Sequence, residues 1–229
     1  MLGTLLPCLL LLTGALANPP APTLDLLDQA LERLADPQQV HRYRVTTDAT
    51  YSDTDGDDAH TDVVVTELSW DAAGEVVVSK ISHTHDGEPF GEEDAEQRRE
   101  DNDQDGEKKS SVEAALPAGD DLARYRYGTT SGEDGLAIAP FEPVPGQDET
   151  DDLQSGRVAW DPATGQPRWI EFSPVDKPFM VKHVTTRLVL GQTDGRLHTA
   201  RIVSWGVGGP PLLRKKFELD MRFHDIDWK

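Results

Sequence analysis

The sequence predicts a mainly β fold of the α+β class, a strongly curved antiparallel sheet packed on one N-terminal helix. Three observations predict it. Between Lys216 and Ile226, Phe217, Leu219, Met221 and Phe223 alternate with Glu218, Asp220, Arg222 and His224. That period of two puts one face of a strand in a core and the other in water. About ten such runs follow one another through turns too short for a crossover helix, which makes the sheet antiparallel. A single segment near the start carries helical spacing instead.

In chain order, Leu5 to Leu12 is an apolar run, and Ala15-Leu16-Ala17 offers a small-x-small cleavage site before Asn18. Such a run is too short for a bilayer core, which needs about 20 residues. Residues 1–17 therefore read as a cleavable signal peptide, although no Lys or Arg precedes the run. The mature chain is expected to be periplasmic or secreted, with no transmembrane segment. Residues 18–229 form one β-rich domain, of a size that buries a sizeable core.

Thr23 is a plausible N-cap, Leu24, Leu27, Leu31 and Leu34 fall on one helical stripe, and Pro37 ends it. A helix over about 24–35 follows. Strands are expected at 41–51, 62–70 and 75–82, the last two joined by the hairpin turn Trp70-Asp71-Ala72-Ala73-Gly74. The segment at about 86–110 breaks the pattern. From Asp86 to Glu107 it holds 11 acidic residues and only Phe90 as a large apolar group, so it reads as a mobile acidic insert. Ser111 to Leu116 allows a short helix. Strands resume at 123–130 and 135–142, then at 156–160 and 168–173 around Asp161-Pro162-Ala163-Thr164-Gly165. The last three, 179–190, 196–207 and 216–226, include a hairpin at Thr193-Asp194-Gly195.

Charge and cysteine usage exclude whole classes of function. The net charge is −20, and Asp outnumbers Glu 27 to 15. A surface so acidic repels phosphodiester and anionic lipid, which excludes nucleic acid as a partner. A composition of this kind also suits high ionic strength, where self-repulsion is screened. The one cysteine, Cys8, lies in the leader, so the mature domain has no disulfide, thiolate metal site or cysteine nucleophile.

The chemical motifs are few. Asp101, Asp103 and Asp105 begin a D-x-D-x-D-G run ending at Gly106, the opening of a calcium loop. The twelfth position, where such a loop needs a bidentate Glu, is Val112. Asp53 to Asp58 is a poorer copy. His83 and His85 stand two apart, so a strand turns both rings to one side, with Asp86 and Glu88 able to add oxygen ligands. No third histidine follows at an informative spacing, and exposed polar residues at a strand end explain the pair equally. There is no G-x-S-x-G, S-x-x-K or H-E-x-x-H motif, and no glycine-rich phosphate loop. A non-catalytic protein without cofactor is expected.

Trp160, Trp169, Phe172, Phe179, Trp205, Phe217 and Phe223 gather in the C-terminal meander. They pack a core, or they line an apolar pocket where a curved sheet leaves its inner face unfilled.

Tyr125-Arg126-Tyr127 opening a strand, Phe141-Glu142-Pro143 closing the next, and Gly156 to Asp161 reading GRVAWD form a pattern. With the Trp169 to Phe172 return, the Phe217 to Asp227 closing strand and the leading helix, it resembles the lipoprotein-localisation (LolA/LolB-type) superfamily and its lipoprotein-sorting-like relatives. The resemblance covers about 120–229 plus the helix. It implies an unclosed half-barrel whose hollow is covered by helices, and a role holding lipid or lipoprotein acyl chains in the envelope. No functional residue transfers, and the acidic insert departs from the family pattern.

The expected function is thus a monomeric, exported, non-catalytic protein that holds an apolar ligand in a curved sheet. Two rivals stand beside it: an acidic envelope module that binds calcium weakly or a basic partner, and a metal-dependent hydrolase using His83 and His85.

Overall fold

The computed structural model describes residues 40–70, 76–90, 124–146, 153–176, 181–210 and 214–229. Twelve strands run in the order β1 (Val40–Asp53), β2 (His60–Trp70), β3 (Val76–His85), β4 (Glu88–Pro89), β5 (Tyr125–Tyr127) and β6 (Ser131–Glu133). They continue as β7 (Leu136–Pro143), β8 (Gln154–Trp160), β9 (Pro167–Pro174), β10 (Val181–Thr193), β11 (Arg196–Gly208) and β12 (Lys215–Trp228).

All twelve belong to one antiparallel sheet in the order β4-β3-β2-β1-β12-β11-β10-β9-β8-β7-β5, with β6 paired to β7. The two ends do not pair, so the sheet is unclosed. Its edge strands β4 and β5 are two and three residues long. β4 pairs only with Thr84 and His85 of β3.

The expected class needs correction. Among the described residues there is no α-helix, and the apolar period is two throughout. The described fold is therefore nearly all β rather than α+β, and no N-terminal helix packs on the sheet among the described residues. The leucine stripe at 24–35 lies outside the described residues, as do the leader and most of the acidic segment. Residues 86–90, at the start of that segment, form the β3–β4 turn and strand.

Local chemistry accounts for the hairpins. Asp86-Gly87, Asp134-Gly135 and Asp194-Gly195 all have positive φ at both residues, between 49° and 84°. This is the two-residue turn whose twist suits antiparallel strands, and Asp-Gly is among the pairs that adopt it most readily. The non-local step is β1 beside β12, from Val40 opposite Trp228 to Asp53 opposite Lys215. It joins the β1–β4 meander to the β5–β12 meander.

Register sorts the side chains onto two faces. On the first, Phe141, Gly156 and Phe172 form one rung, and Ala139, Val158, Ile170, Leu188, Ile202, Met221, Thr47 and Val64 form the next. Tyr125, Ala137, Ala139, Phe141, Leu153, Val158, Trp160, Ile170 and Phe172 pack there as one buried cluster. Leu188, Leu190 and Ile202 form a second, against Leu197, Met221 and Phe223. Ile170 and Leu188 are only 2% and 1% exposed. Burying a side chain of that size contributes about 1.5–3 kcal/mol.

Candidate functional site

The opposite face is built from charge. In β8–β10, Glu171 lies between Arg157, whose Nε donates to Oε1 at 3.0 Å, and Arg187, whose Nε donates to Oε2 at 3.0 Å. Both guanidiniums lie over the Trp169 ring, at 5.6 and 4.7 Å from its centroid, and Arg187 is also 5.9 Å from that of Trp205. Cations stack there on aromatic faces. In β11–β12, Asp220 is buried and accepts from Arg201 Nε at 2.7 Å and Arg222 Nε at 3.1 Å. The carboxylates sit inside and the arginines cover them.

These ion pairs set a pH dependence. Burial pushes Glu171 and Asp220 upward, but the guanidinium hydrogen bonds outweigh it and leave both carboxyls below their ordinary values. A carboxyl held low in the folded state adds stability above its unfolded pKa, and that stability is lost as pH falls through the folded value. Thermal midpoints are therefore expected to fall as the pH drops below about 4, the ordinary carboxylate range. Glu171→Gln and Asp220→Asn should each flatten the acid limb in a calorimetric pH series. An unchanged slope would refute the assignment.

The seven aromatics of the predicted apolar site do not share one face. Trp160 and Phe172 belong to the buried cluster, and Phe223 packs at the edge of the second. Phe217 follows Phe223 on the same side. Trp169 and Trp205 project from the charged face, because their cross-strand neighbours are Ala159 and Val189 for the first, and Thr185 and Glu218 for the second. Phe179 lies outside the described residues. Trp205 and Phe217 are both among the residues lining a recess of about 300 Å³, with Thr50, Ser52, His183, Lys216 and Glu218.

The apolar face stays open at its other end. Tyr43 packs its ring between Trp70 and Phe223, each at 5.8 Å. Beyond them Val78 is 62% exposed, and Tyr51, at the other end of β1 beside His60, is 47% exposed, both on the same face as the buried clusters. The strip therefore runs from a filled core to uncovered aromatic and aliphatic surface on β1–β3.

At the same end of the sheet His83 and His85 take separate parts. Asp62 on β2 stands opposite His85, and its Oδ1 accepts from His85 Nδ1 at 2.9 Å and His83 Nε2 at 3.2 Å. Lys80 Nζ donates to His83 Nδ1 at 3.0 Å, and the His83 ring stacks on Phe90 at 4.3 Å. His60, which the sequence did not single out, stands beside His85 with ring centroids 5.6 Å apart. Its Nδ1 donates to Asp86 Oδ2 at 2.8 Å. That hydrogen bond leads the causes that raise the His60 pKa and lower the Asp86 pKa. His60, His85 and Asp86 bring three metal-ligating atoms within 4.8 Å of one another. The signal was present as His60-x-Asp62 facing His83-x-His85, but only the β2–β3 register joins them. The acidic triplet Asp101, Asp103 and Asp105 lies outside the described residues.

The architecture is thus an unclosed antiparallel sheet with an apolar face, a charged face and a histidine–aspartate cluster at one end. Comparison with protein-family models and with curated proteins finds no match to this chain. Among solved structures, it is similar to a DUF1329 family protein from Desulfovibrio piger, with 11% identity over 90% of this chain and 91% of that one, at a TM-score of 0.37. It is also similar to a chain of the Pseudomonas aeruginosa MucA/MucB complex, with 10% identity, 88% and 94% covered, and a TM-score of 0.22. A chain of the complex of MucB with MucA(peri) gives 11% identity, the same coverage and a TM-score of 0.20. Superpositions this partial settle neither a family nor a function for this chain. No helix among the described residues is long and apolar enough to cross a membrane.

Proposed function

We propose that this is a non-catalytic protein of the cell envelope that holds an apolar ligand, a lipid or lipoprotein acyl chain, against its sheet. The observation that carries this reading is the apolar face, filled at β5–β10 and uncovered at β1–β3. Scattered apolar residues on a surface need no explanation, but a strip continuous with the core marks a place for an apolar ligand. Tyr43, Leu68, Trp70 and Phe223 would form its floor, with Val78 at its open margin. Burying such surface in a ligand contact gains about 25 cal/mol per Å². The exported location follows from the leader read in the sequence and belongs to the same proposal.

Native mass spectrometry of the protein purified from its envelope is expected to show co-purified lipid. A fluorescent fatty acid should bind, and Val78→Asp should weaken it by about tenfold, a loss of 1.4 kcal/mol. Trp169→Ala, on the other face, should leave it unchanged. Folded protein that carries no lipid and binds no acyl probe would refute this function.

A further inference from the structure

We propose that His60, His85 and Asp86 form a binding site for a divalent first-row transition-metal ion of the zinc class, at the His60 and His85 ends of β2 and β3. The case rests on how the three side chains are held. Asp86 Oδ1 accepts the Thr61 backbone N–H at 2.7 Å, which leaves Oδ2 to face the imidazoles. That oxygen lies 2.8 Å from His60 Nδ1 and 3.5 Å from His85 Nε2. In a tetrahedral zinc site with bonds of about 2.0–2.2 Å, ligand atoms stand about 3.3–3.5 Å apart. Small rotations of exposed side chains would bring the three atoms to that spacing.

The supporting groups are also in place. His85 gives its Nδ1–H to Asp62, which fixes the tautomer with Nε2 free to ligate. A ligating histidine braced by a carboxylate in this way is the usual partner arrangement at metal sites. His83 is excluded from the ligand set because both of its nitrogens are engaged, one by Lys80 and the other by Asp62. The pair His83 and His85 therefore divides its labour: one braces the strand end and one binds.

Two imidazoles and one carboxylate suit zinc and its neighbours, whereas calcium and magnesium prefer oxygen alone. Binding is proton-balanced. The proton that His60 Nδ1 shares with Asp86 leaves to solvent as the cation takes its place. Three protein ligands leave the fourth position to water, and the net charge of −20 raises the local cation concentration.

The test is zinc titration calorimetry on the tag-free full chain, freed of metal by chelator, with cobalt absorption as a second measure. One ion per chain is expected, with the visible bands of tetrahedral cobalt, and calcium at equal concentration should not displace it. His60→Ala and Asp86→Asn should each weaken zinc binding by at least about tenfold, on the scale found for residues at metal sites. His83→Ala should leave it nearly unchanged. Asp62→Ala should weaken it through His85, and Asp62→Asn should restore most of the loss, because an amide oxygen still accepts from Nδ1–H. Circular dichroism checks that the variants fold, and the wild-type cobalt spectrum tests the site should one of them fail. Folded wild-type protein giving neither zinc heat nor cobalt bands would overturn the proposal. So would zinc affinity undiminished in His60→Ala and Asp86→Asn. None of these readouts involves lipid, so failure here leaves the acyl-chain reading standing.

Discussion

Gly156→Ala is expected to destabilise the protein by about 3 kcal/mol or more, at the upper end of what overpacking a closed site costs. Gly156 lies in β8 between Phe141 of β7 and Phe172 of β9, both buried. A methyl group there would run into the Glu171 carbonyl and approach Phe172 Cα to 2.8 Å. Both obstacles are backbone of the paired strand, so no side-chain rotation relieves them. The strand must move instead, and with it the Glu171 carboxylate that Arg157 and Arg187 hold from two sides. Chemical denaturation at neutral pH measures the change. A variant within about 0.5 kcal/mol of wild type, the range of ordinary surface substitutions, would show that β8 and β9 are not packed this closely.

Leu188→Ala carries the second large effect, a loss of about 2–5 kcal/mol. Leu188 is almost wholly enclosed and stands between Ile170 of β9 and Ile202 of β11. It is the link between the two buried clusters, and truncation leaves a cavity that neighbours on a hydrogen-bonded sheet cannot collapse to fill. Val189, one residue on, faces the other way, and Val189→Ala should cost much less. Equal losses at the two positions in denaturant unfolding would mean that the face assignment of β10 is wrong.

These cases show what was legible in the sequence and why. The long strands were: their period of two and the Asp-Gly turn at 194–195 are local signals, and β1, β2 and β7 to β12 stand close to where alternation put them. The two-residue β4 and three-residue β6 were not, because strands so short carry no period. Trp169 and Phe172 are three apart on one strand, so their opposite faces could be read without a structure. The side taken by Trp205 relative to Phe217 could not, since it depends on Gly206 standing opposite Phe217.

Alternation by itself settled that this chain makes antiparallel hairpins with one apolar and one polar side, because each strand's pattern lies within a few residues. Tertiary structure alone decided that β1 lies beside β12, which aromatics share a face, and that His60 meets His85 and Asp86. Those outcomes depend on cross-strand register, and register shifts such as those at Val65/Thr66 and Ala159/Trp160 change which residues stand opposite one another. Local spacing holds no record of such a shift, so only the folded sheet brings these side chains together.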